Sequence, residues 1–430
     1  MSKSIFFILI VLGICIGGCV STTQQNNIPT FNATAVVTPF IPTPSQPVTL
    51  ITSQEQVSFQ KGLDLYQQEK YPAAIDAFNN SISANPENGE VYLARGKAYF
   101  NEGKKKWYEG KGYTEFNQAI NDFDHALLNS SNKSEIYNLR GWSNFWIGYQ
   151  NHIRYYSKGK HASPYYEIAA RDFSLSLEET PGSVDALSGR ALAYSYIGRG
   201  SSEIDYQYDS VKSDLARKDA KDALTQAPHN PWANYAMARV AEMNDKSPIE
   251  IIIKYLDEAI RNDPGEADFY RARGRVNYEG AKYDDALLDL NKAIELQPRF
   301  ALAYNEIGVS WSRQSKWDES LVNYNKALMI DPDNSLYNNN FAMGKINVMN
   351  PVTRAGLEEA LVSHDRAIEL DPEFPSPHFE RFFIMYNLNR PVEMQKEAQI
   401  YKSLTKTNEE IELARLLEDF ASDPPYSNLR

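Results

Sequence analysis

The sequence predicts an all-α solenoid of stacked helix hairpins, and three observations carry that prediction. Proline recurs at Pro86, Pro181, Pro228, Pro264, Pro298, Pro332 and Pro372, and the intervals 264 to 298 and 298 to 332 are both 34 residues. Other residues keep step with it. Tyr270, Gly274, Ala286, Leu290 and Ala293 precede Pro298, and Tyr304, Gly308, Ser320, Tyr324 and Ala327 precede Pro332. No sustained period-two alternation appears after residue 55, so nothing suggests a β-domain.

The spacing reads as a hairpin. Tyr270 and Gly274 lie four apart, as do Ala286 and Leu290, so each pair shares one helical face. A glycine inside a helix costs about 1 kcal/mol relative to alanine. Gly62, Gly96, Gly141, Gly274 and Gly308 nonetheless hold the same place in the unit. Close approach of the first helix to the second explains this, with Ala74, Ala119, Ala169, Ala286 and Ala360 answering from the second helix. Bulky Phe78, Phe123, Phe173 and Tyr324 fill the remaining space. Each proline stops the second helix, because the residue before it avoids the α region.

A 34-residue period with this order of residues resembles the tetratricopeptide repeat family. The resemblance covers roughly residues 55–390 and implies a right-handed superhelical solenoid of about eight such hairpins, closed by a C-terminal capping helix. The first repeat runs from Gly62 to Pro86. The second runs from Tyr92 and Gly96 to Ala126, with Ser131 in the proline slot, and the third from Tyr137 to Pro181. The fourth has Ala191 in place of glycine and ends at Pro228; the fifth is degenerate and ends at Pro264. The sixth and seventh are the clean pair, and the eighth keeps Ala342, Ala360, Ala367 and Pro372. Helical stretches near 376–388, 391–404 and 407–421 lose the small-residue code, so 391–430 reads as a divergent helical cap and tail. Ser247-Pro248-Ile249-Glu250 reads as a capping box with proline at the first helical position, and Ser163-Pro164 as a second such start.

The N-terminus lies outside the repeats. Lys3 precedes an apolar run from Ile5 to Ile16, too short to span a bilayer comfortably. It ends in Ile16-Gly17-Gly18-Cys19, which resembles the lipobox of prokaryotic lipoproteins. That resemblance implies a signal peptide over 1–19, lipidation of Cys19, and a place on the extracytoplasmic face of the cell membrane. The other cysteine, Cys15, then leaves with the signal, so no disulfide is expected. Residues 20–54 are rich in Thr, Ser, Pro, Gln and Asn with almost no charge, as in a linker.

Composition narrows the function. A formal net charge of −12 argues against general nucleic-acid binding. Residues 55–160 carry 13 basic and 12 acidic side chains, whereas 161–430 carry 30 basic and 44 acidic, so the distal part is the acidic one. No phosphate loop, HExxH or GxSxG motif is present. The six histidines are scattered; His152 and His161 read as surface residues. Asp122 and Asp124 flank Phe123 on a second helix and read as a solvated face. The chain is therefore expected to be no enzyme, with no cofactor, no metal and no small-molecule substrate.

Two candidate binding surfaces remain. The family pattern allows 12 residues between the glycine or alanine of the first helix and the alanine of the second. Repeats two, three and four have 23, 28 and 25, which places insertions near 103–115, 149–166 and 199–213. They carry Lys104, Lys105, Lys106, Trp107 and Tyr108, then Arg154, Tyr155 and Tyr156, with Tyr206 and Tyr208 in the third. The simpler reading is helices that run on for extra turns with aromatics packed on each other. The functional reading is a basic–aromatic ridge that contacts a partner, glycan or lipid headgroups. The second surface is the concave groove. The family's groove positions fall here on Arg271, Arg275 and Tyr278, on Asn305 and Val309, and on Asn339 and Met343. Arginine and asparagine there resemble residues that hold peptide backbone and carboxylate. The middle asparagine of that pattern is Glu306 here, and a distal basic position is Leu336.

Together these features resemble the envelope lipoproteins of bacteria and archaea that dock assembly factors, hydrolases or pilus components. The function so implied is a membrane-anchored extracytoplasmic interaction scaffold or adaptor for a protein or peptide partner. A glycan- or cell-wall-binding surface protein and an accessory subunit of an envelope enzyme are the alternatives.

Overall fold

The structure, a computed structural model, describes residues 53–155, 158–198, 210–243, 247–405 and 408–422. Cys19, residues 20–52, Tyr156, Tyr206 and Tyr208 lie outside the described residues, while Ser53 and Gln54, expected in the linker, open the first helix. The described residues form helices joined by turns, with no strand among them. In chain order the hairpins are α1 (Ser53–Gln67) with α2 (Tyr71–Ala84), α3 (Gly89–Trp107) with α4 (Tyr113–Asn129), α5 (Lys133–Arg154) with α6 (Lys158–Glu179), and α7 (Val184–Gly198) with α8 (Ser210–Gln226). Then come α9 (Pro231–Glu242) with α10 (Ile249–Asn262), α11 (Ala267–Glu279) with α12 (Tyr283–Leu296), and α13 (Ala301–Arg313) with α14 (Trp317–Ile330). The series ends with α15 (Ser335–Val348) and α16 (Arg354–Leu370), α17 (Pro375–Asn387) and α18 (Pro391–Leu404), and a last helix α19 (Asn408–Ser422). Each hairpin packs on the next, as the all-α solenoid requires. Among the described residues no helix is long and apolar enough to cross a membrane.

The small-residue code works by steric fit. A Cβ added to Gly96 on α3 would come within 2.7 Å of the Phe123 ring on α4, so only glycine lets the helices approach this far. The first helices start where the prolines and the next polar residue direct. Asn88, Asn230 and Asn334 each stand two residues after a proline of the period. Their side chains accept from Glu90 N, Ala233 N and Leu336 N, at 3.0, 2.9 and 3.1 Å.

An arginine ladder fixes the register. The arginine that precedes the glycine position donates through Nε and one Nη to a carboxylate three residues beyond the second helix's small residue. Arg95 holds Asp122 in this way, Arg140 holds Asp172, Arg190 holds Asp219 and Arg273 holds Asp289, at 2.6 to 2.9 Å. The other Nη reaches back 16 residues to the preceding hairpin, at Asn79, Asp124, Ser174 and Asp257. One planar side chain thus ties three helices, which a flexible lysine could not do. Asp122 is accordingly buried against Arg95 and is no solvated face, and Asp124 pairs with Arg140.

Three local expectations are corrected. Pro248 has extended backbone and precedes α10, so it stands at the cap position outside the helix and not at its first turn. Pro164 lies inside α6, which begins at Lys158, so the helix starts well before the Ser163-Pro164 pair. His152 is half-buried against the Tyr196 ring and is no surface residue; the side chain of His161 lies outside the described set.

Candidate functional site

The insertions of repeats two and three are helix. α3 runs on to Trp107 and α5 to Arg154, about two turns beyond the repeat. The extension repeats the hairpin's own packing code. Gly103 stands seven residues after Gly96, and Phe116 seven before Phe123; a Cβ on Gly103 would meet the Phe116 ring at 2.9 Å. The tips of the two extended helices do not project into solvent. They lie across the first helices of repeats five to eight, where the groove residues are.

The contacts form one continuous clasp. Lys104 Nζ binds Glu266 Oε2 at 3.0 Å and lies over the Trp146 and Trp232 rings, at 5.1 and 5.3 Å. Tyr108 Oη donates to the other Glu266 oxygen. Trp107 stacks on Tyr149 at 5.2 Å, and Tyr108 meets the Phe300 ring edge-on at 4.8 Å. Arg154 donates to Asp331 at 3.0 Å and to the Gly110 carbonyl at 2.7 Å, while Ser335 Oγ donates to the Arg154 carbonyl. Arg299 closes the outer side on Glu109 at 3.0 Å. Gly110 has φ +70°, and a Cβ there would come within 2.1 Å of Asp331 Oδ2. The turn therefore needs glycine twice over, for its backbone and for its fit.

One backbone bond shows how closely the tip belongs to the groove. Phe300 occupies the cap position of α13 and has no side chain able to cap. The Ala301 N–H donates instead to the Tyr108 carbonyl, at 2.9 Å. A residue 193 positions earlier in the chain thus supplies the cap that this helix lacks.

Electrostatics follow from the burial. Burial alone works to raise the Glu266 pKa, but Lys104 and the Tyr108 hydroxyl outweigh it and hold the carboxyl below its ordinary value. Burial raises Asp331, with Arg154 opposing, and raises Glu306 against the pull of Arg271 and Arg275. Burial, helped by the Glu266 charge, drives the Tyr108 phenol far above its usual range.

The candidate residues therefore sort differently from the two-surface reading. Trp107 and Tyr108 are 4% and 8% exposed, so they belong to the central core and form no open ridge. The three lysines diverge: Lys104 into the clasp, Lys105 to Glu69 and over the Tyr71 ring, Lys106 to Glu115. Arg154 lies in the clasp and Tyr155 caps the end of α5. In the groove, Arg271 is bonded to Asp268, Glu306 and Tyr149 Oη, at 2.6, 2.9 and 2.6 Å. Arg275 holds Glu242 at 2.7 Å, and Tyr278 Oη accepts from Arg313. Asn305 accepts from Asn340, Asn339 bonds His364, Met343 is buried, and Val309 is part-exposed. Glu306, the residue that departs from the peptide-holding pattern, is a second counterion of Arg271 beside Asp268. Groove and insertions thus meet as partners of one another. Sequence reasoning missed Glu266, Phe300, Asp331 and Tyr149; an aromatic residue in a cap position normally filled by asparagine or serine sets α13 apart, but Phe374 before α17 does the same outside the clasp.

A family model described as TPR repeat matches residues 62–103, and one described as tetratricopeptide repeat matches residues 253–298. The chain carries tetratricopeptide repeats. Among curated proteins it is similar to interferon-induced protein with tetratricopeptide repeats 2 of Cricetulus griseus, at 28% identity over 137 residues. That match spans 32% of this chain and about a quarter (26%) of the relative's length. Among solved structures the chain is similar to yeast Tom70, at 17% identity over 86% of this chain and 95% of that one, with a TM-score of 0.44. It is likewise similar to a tetratricopeptide repeat protein from Parabacteroides merdae, at 16% identity over 68% and 99%, with a TM-score of 0.48. For Pseudomonas aeruginosa PilF the values are 15%, 54% and 96%, and 0.44.

Proposed function

We propose that the chain is a membrane-anchored extracytoplasmic scaffold that holds a protein partner on the outer faces of its repeats. The interaction half of this reading rests on the repeat array, an architecture that builds extended binding surfaces. The anchor half rests on the sequence Ile16-Gly17-Gly18-Cys19 after an apolar run, with an uncharged linker behind it. The observation that carries the choice of surface is the clasp: the groove residues of repeats six to eight already have partners within the chain.

The outer, second helices of the same repeats are open. Leu288 on α12, Val322 on α14 and Val362 on α16 hold equivalent places and are 71%, 53% and 67% exposed. Each stands four residues after an acid (Asp284, Asp318, Glu358), so acid and apolar side chain share a face. With the excess of acids beyond residue 160, a partner of basic, partly apolar surface fits this side. With Trp107 and Tyr108 buried, no aromatic platform for glycan stands open at those positions.

Metabolic labelling with a radioactive lipid precursor tests the anchor. The full chain is expected to take up label and Cys19→Ala to lose it; an unlabelled wild type ends the lipoprotein reading. For the surface, protein retained from detergent-solubilised membranes is compared between wild type and a Leu288→Lys, Val322→Lys, Val362→Lys variant. A specific partner retained by the first and lost by the second supports the reading, and equal retention removes the outer face from it.

A further inference from the structure

Where the clasp meets α13 and α15 there is a pocket of about 20 Å³, with Trp107, Gln150, Arg154, Phe300, Asp331 and Tyr337 in its lining. Three polar atoms on these side chains have no hydrogen-bond partner in the protein: Trp107 Nε1, Gln150 Oε1 and Arg154 Nε. Trp107 and Gln150 are 4% and 5% exposed, so bulk solvent does not serve them. The Gln150 amide is oriented by its own bond, since Nε2 donates to the Gly110 carbonyl at 2.6 Å and leaves Oε1 as the open acceptor. Arg154 is oriented in the same way, with an Nη engaged by Gly110 and Asp331.

The chemistry of these atoms selects the occupant. A group placed among them must accept from two N–H donors and donate to one carbonyl oxygen. A cation is refused by the indole N–H and the guanidinium. An anion is refused by Gln150 Oε1 and by the Asp331 carboxylate in the wall. An apolar group would leave all three atoms unpaired. The volume admits about one water molecule, which needs two to four polar partners to be held. We propose that a single ordered water, bonded to Trp107 Nε1, Gln150 Oε1 and Arg154 Nε, is a constituent of the clasp. It joins the tip of α3 to the tip of α5 beside Asp331, so solvent forms part of the seam that keeps the groove shut.

Crystals of the full chain that diffract well enough to show ordered solvent are expected to carry one peak within hydrogen-bond reach of all three atoms. No peak there, or side chains turned to pair directly with one another, overturns the proposal. In solution, oxygen-17 relaxation dispersion of the water signal counts long-lived internal waters. Gln150→Leu keeps the side chain's bulk and removes the acceptor, and is expected to lower that count by one relative to wild type. A folded Gln150→Leu chain with the wild-type count sinks the idea, and should that variant not fold, the wild-type crystal decides alone.

Discussion

Glu380 is a buried carboxyl whose state burial alone decides. It sits on α17 between Phe379 and Phe382, is 5% exposed, and burial pushes its pKa up to about 8. A carboxyl whose folded pKa lies above its ordinary value of 4.5 binds its proton more tightly in the native state. The stability it contributes is fully present below about pH 4.5 and is lost as pH rises towards 8. At about 1.4 kcal/mol per unit, the whole swing is on the order of 5 kcal/mol. Glu380→Gln removes the titration, so urea midpoints at pH 5.5 and 8.5 are expected to separate from wild type in the Gln variant's favour, and more so at the higher pH. Two curves that run parallel with pH would show that Glu380 titrates normally. The arginine ladder gives the opposite case. Asp172 is fully buried and held by both arms of Arg140, so Arg140→Leu strands a charge and is expected to cost about 3 kcal/mol. Replacing both partners, Arg140→Leu with Asp172→Leu, is expected to cost clearly less, because no charge is left unpaired. Equal losses in the two chains would mean the pair contributes only through packing.

At the scale of the helix, the long first helices of repeats two and three are the unit that departs from the family pattern. Gly103 is the test of how they pack. Alanine there gains roughly 1 kcal/mol in helix propensity. Its Cβ, however, lies 2.9 Å from the ring of a fully buried Phe116, so overpacking of about 1–3 kcal/mol wins. Gly103→Ala is thus expected to lower stability, and Phe116→Leu in the same chain to restore part of it, as a double-mutant cycle on the melting midpoint reads. A stabilised single variant would contradict the close fit. The repeats themselves were legible because proline, glycine and alanine each report a local constraint: a helix stop, a close approach, a small face. The aromatic tips were legible as extra helix but not as clasp. What they touch lies roughly 160 to 190 positions away, at Glu266, Phe300 and Asp331, and no periodicity links Lys104 to Glu266. The groove arginines misled for the same reason. Arg271 and Arg275 match a peptide-holding pattern by position; Asp268 and Glu279 stand near them in sequence, but the partners Glu306 and Glu242 that join neighbouring helices lie 35 and 33 positions away.

In the molecule as a whole, the clasp changes how the array must come apart. A solenoid held only by neighbour contacts can open from either end or in the middle, since each repeat's stability is local. Here repeats two and three are bonded to repeats six, seven and eight, through Lys104, Tyr108, Arg154 and the core around Trp107 and Phe300. Opening any repeat between them exposes that shared core, so residues 100–340 are expected to unfold as one unit. Gly110→Val is the selective way to release it. The valine is strained at φ +70° and collides with Asp331, yet Gly110 lies in the turn between α3 and α4 and in neither of the packed helices. The amide of Ala301 gives the sharpest readout. As the first residue of α13 it has no partner within its own helix, so only the Tyr108 carbonyl can protect it from hydrogen exchange. In wild type this amide is expected to exchange as slowly as the helix core. In Gly110→Val it is expected to exchange freely while the helical circular dichroism stays unchanged. The radius of gyration from solution scattering is expected to grow, and the single denaturant transition to split in two. Fast exchange of Ala301 in the wild-type chain would mean that the clasp does not persist in solution, and the groove would then stand open to a partner after all.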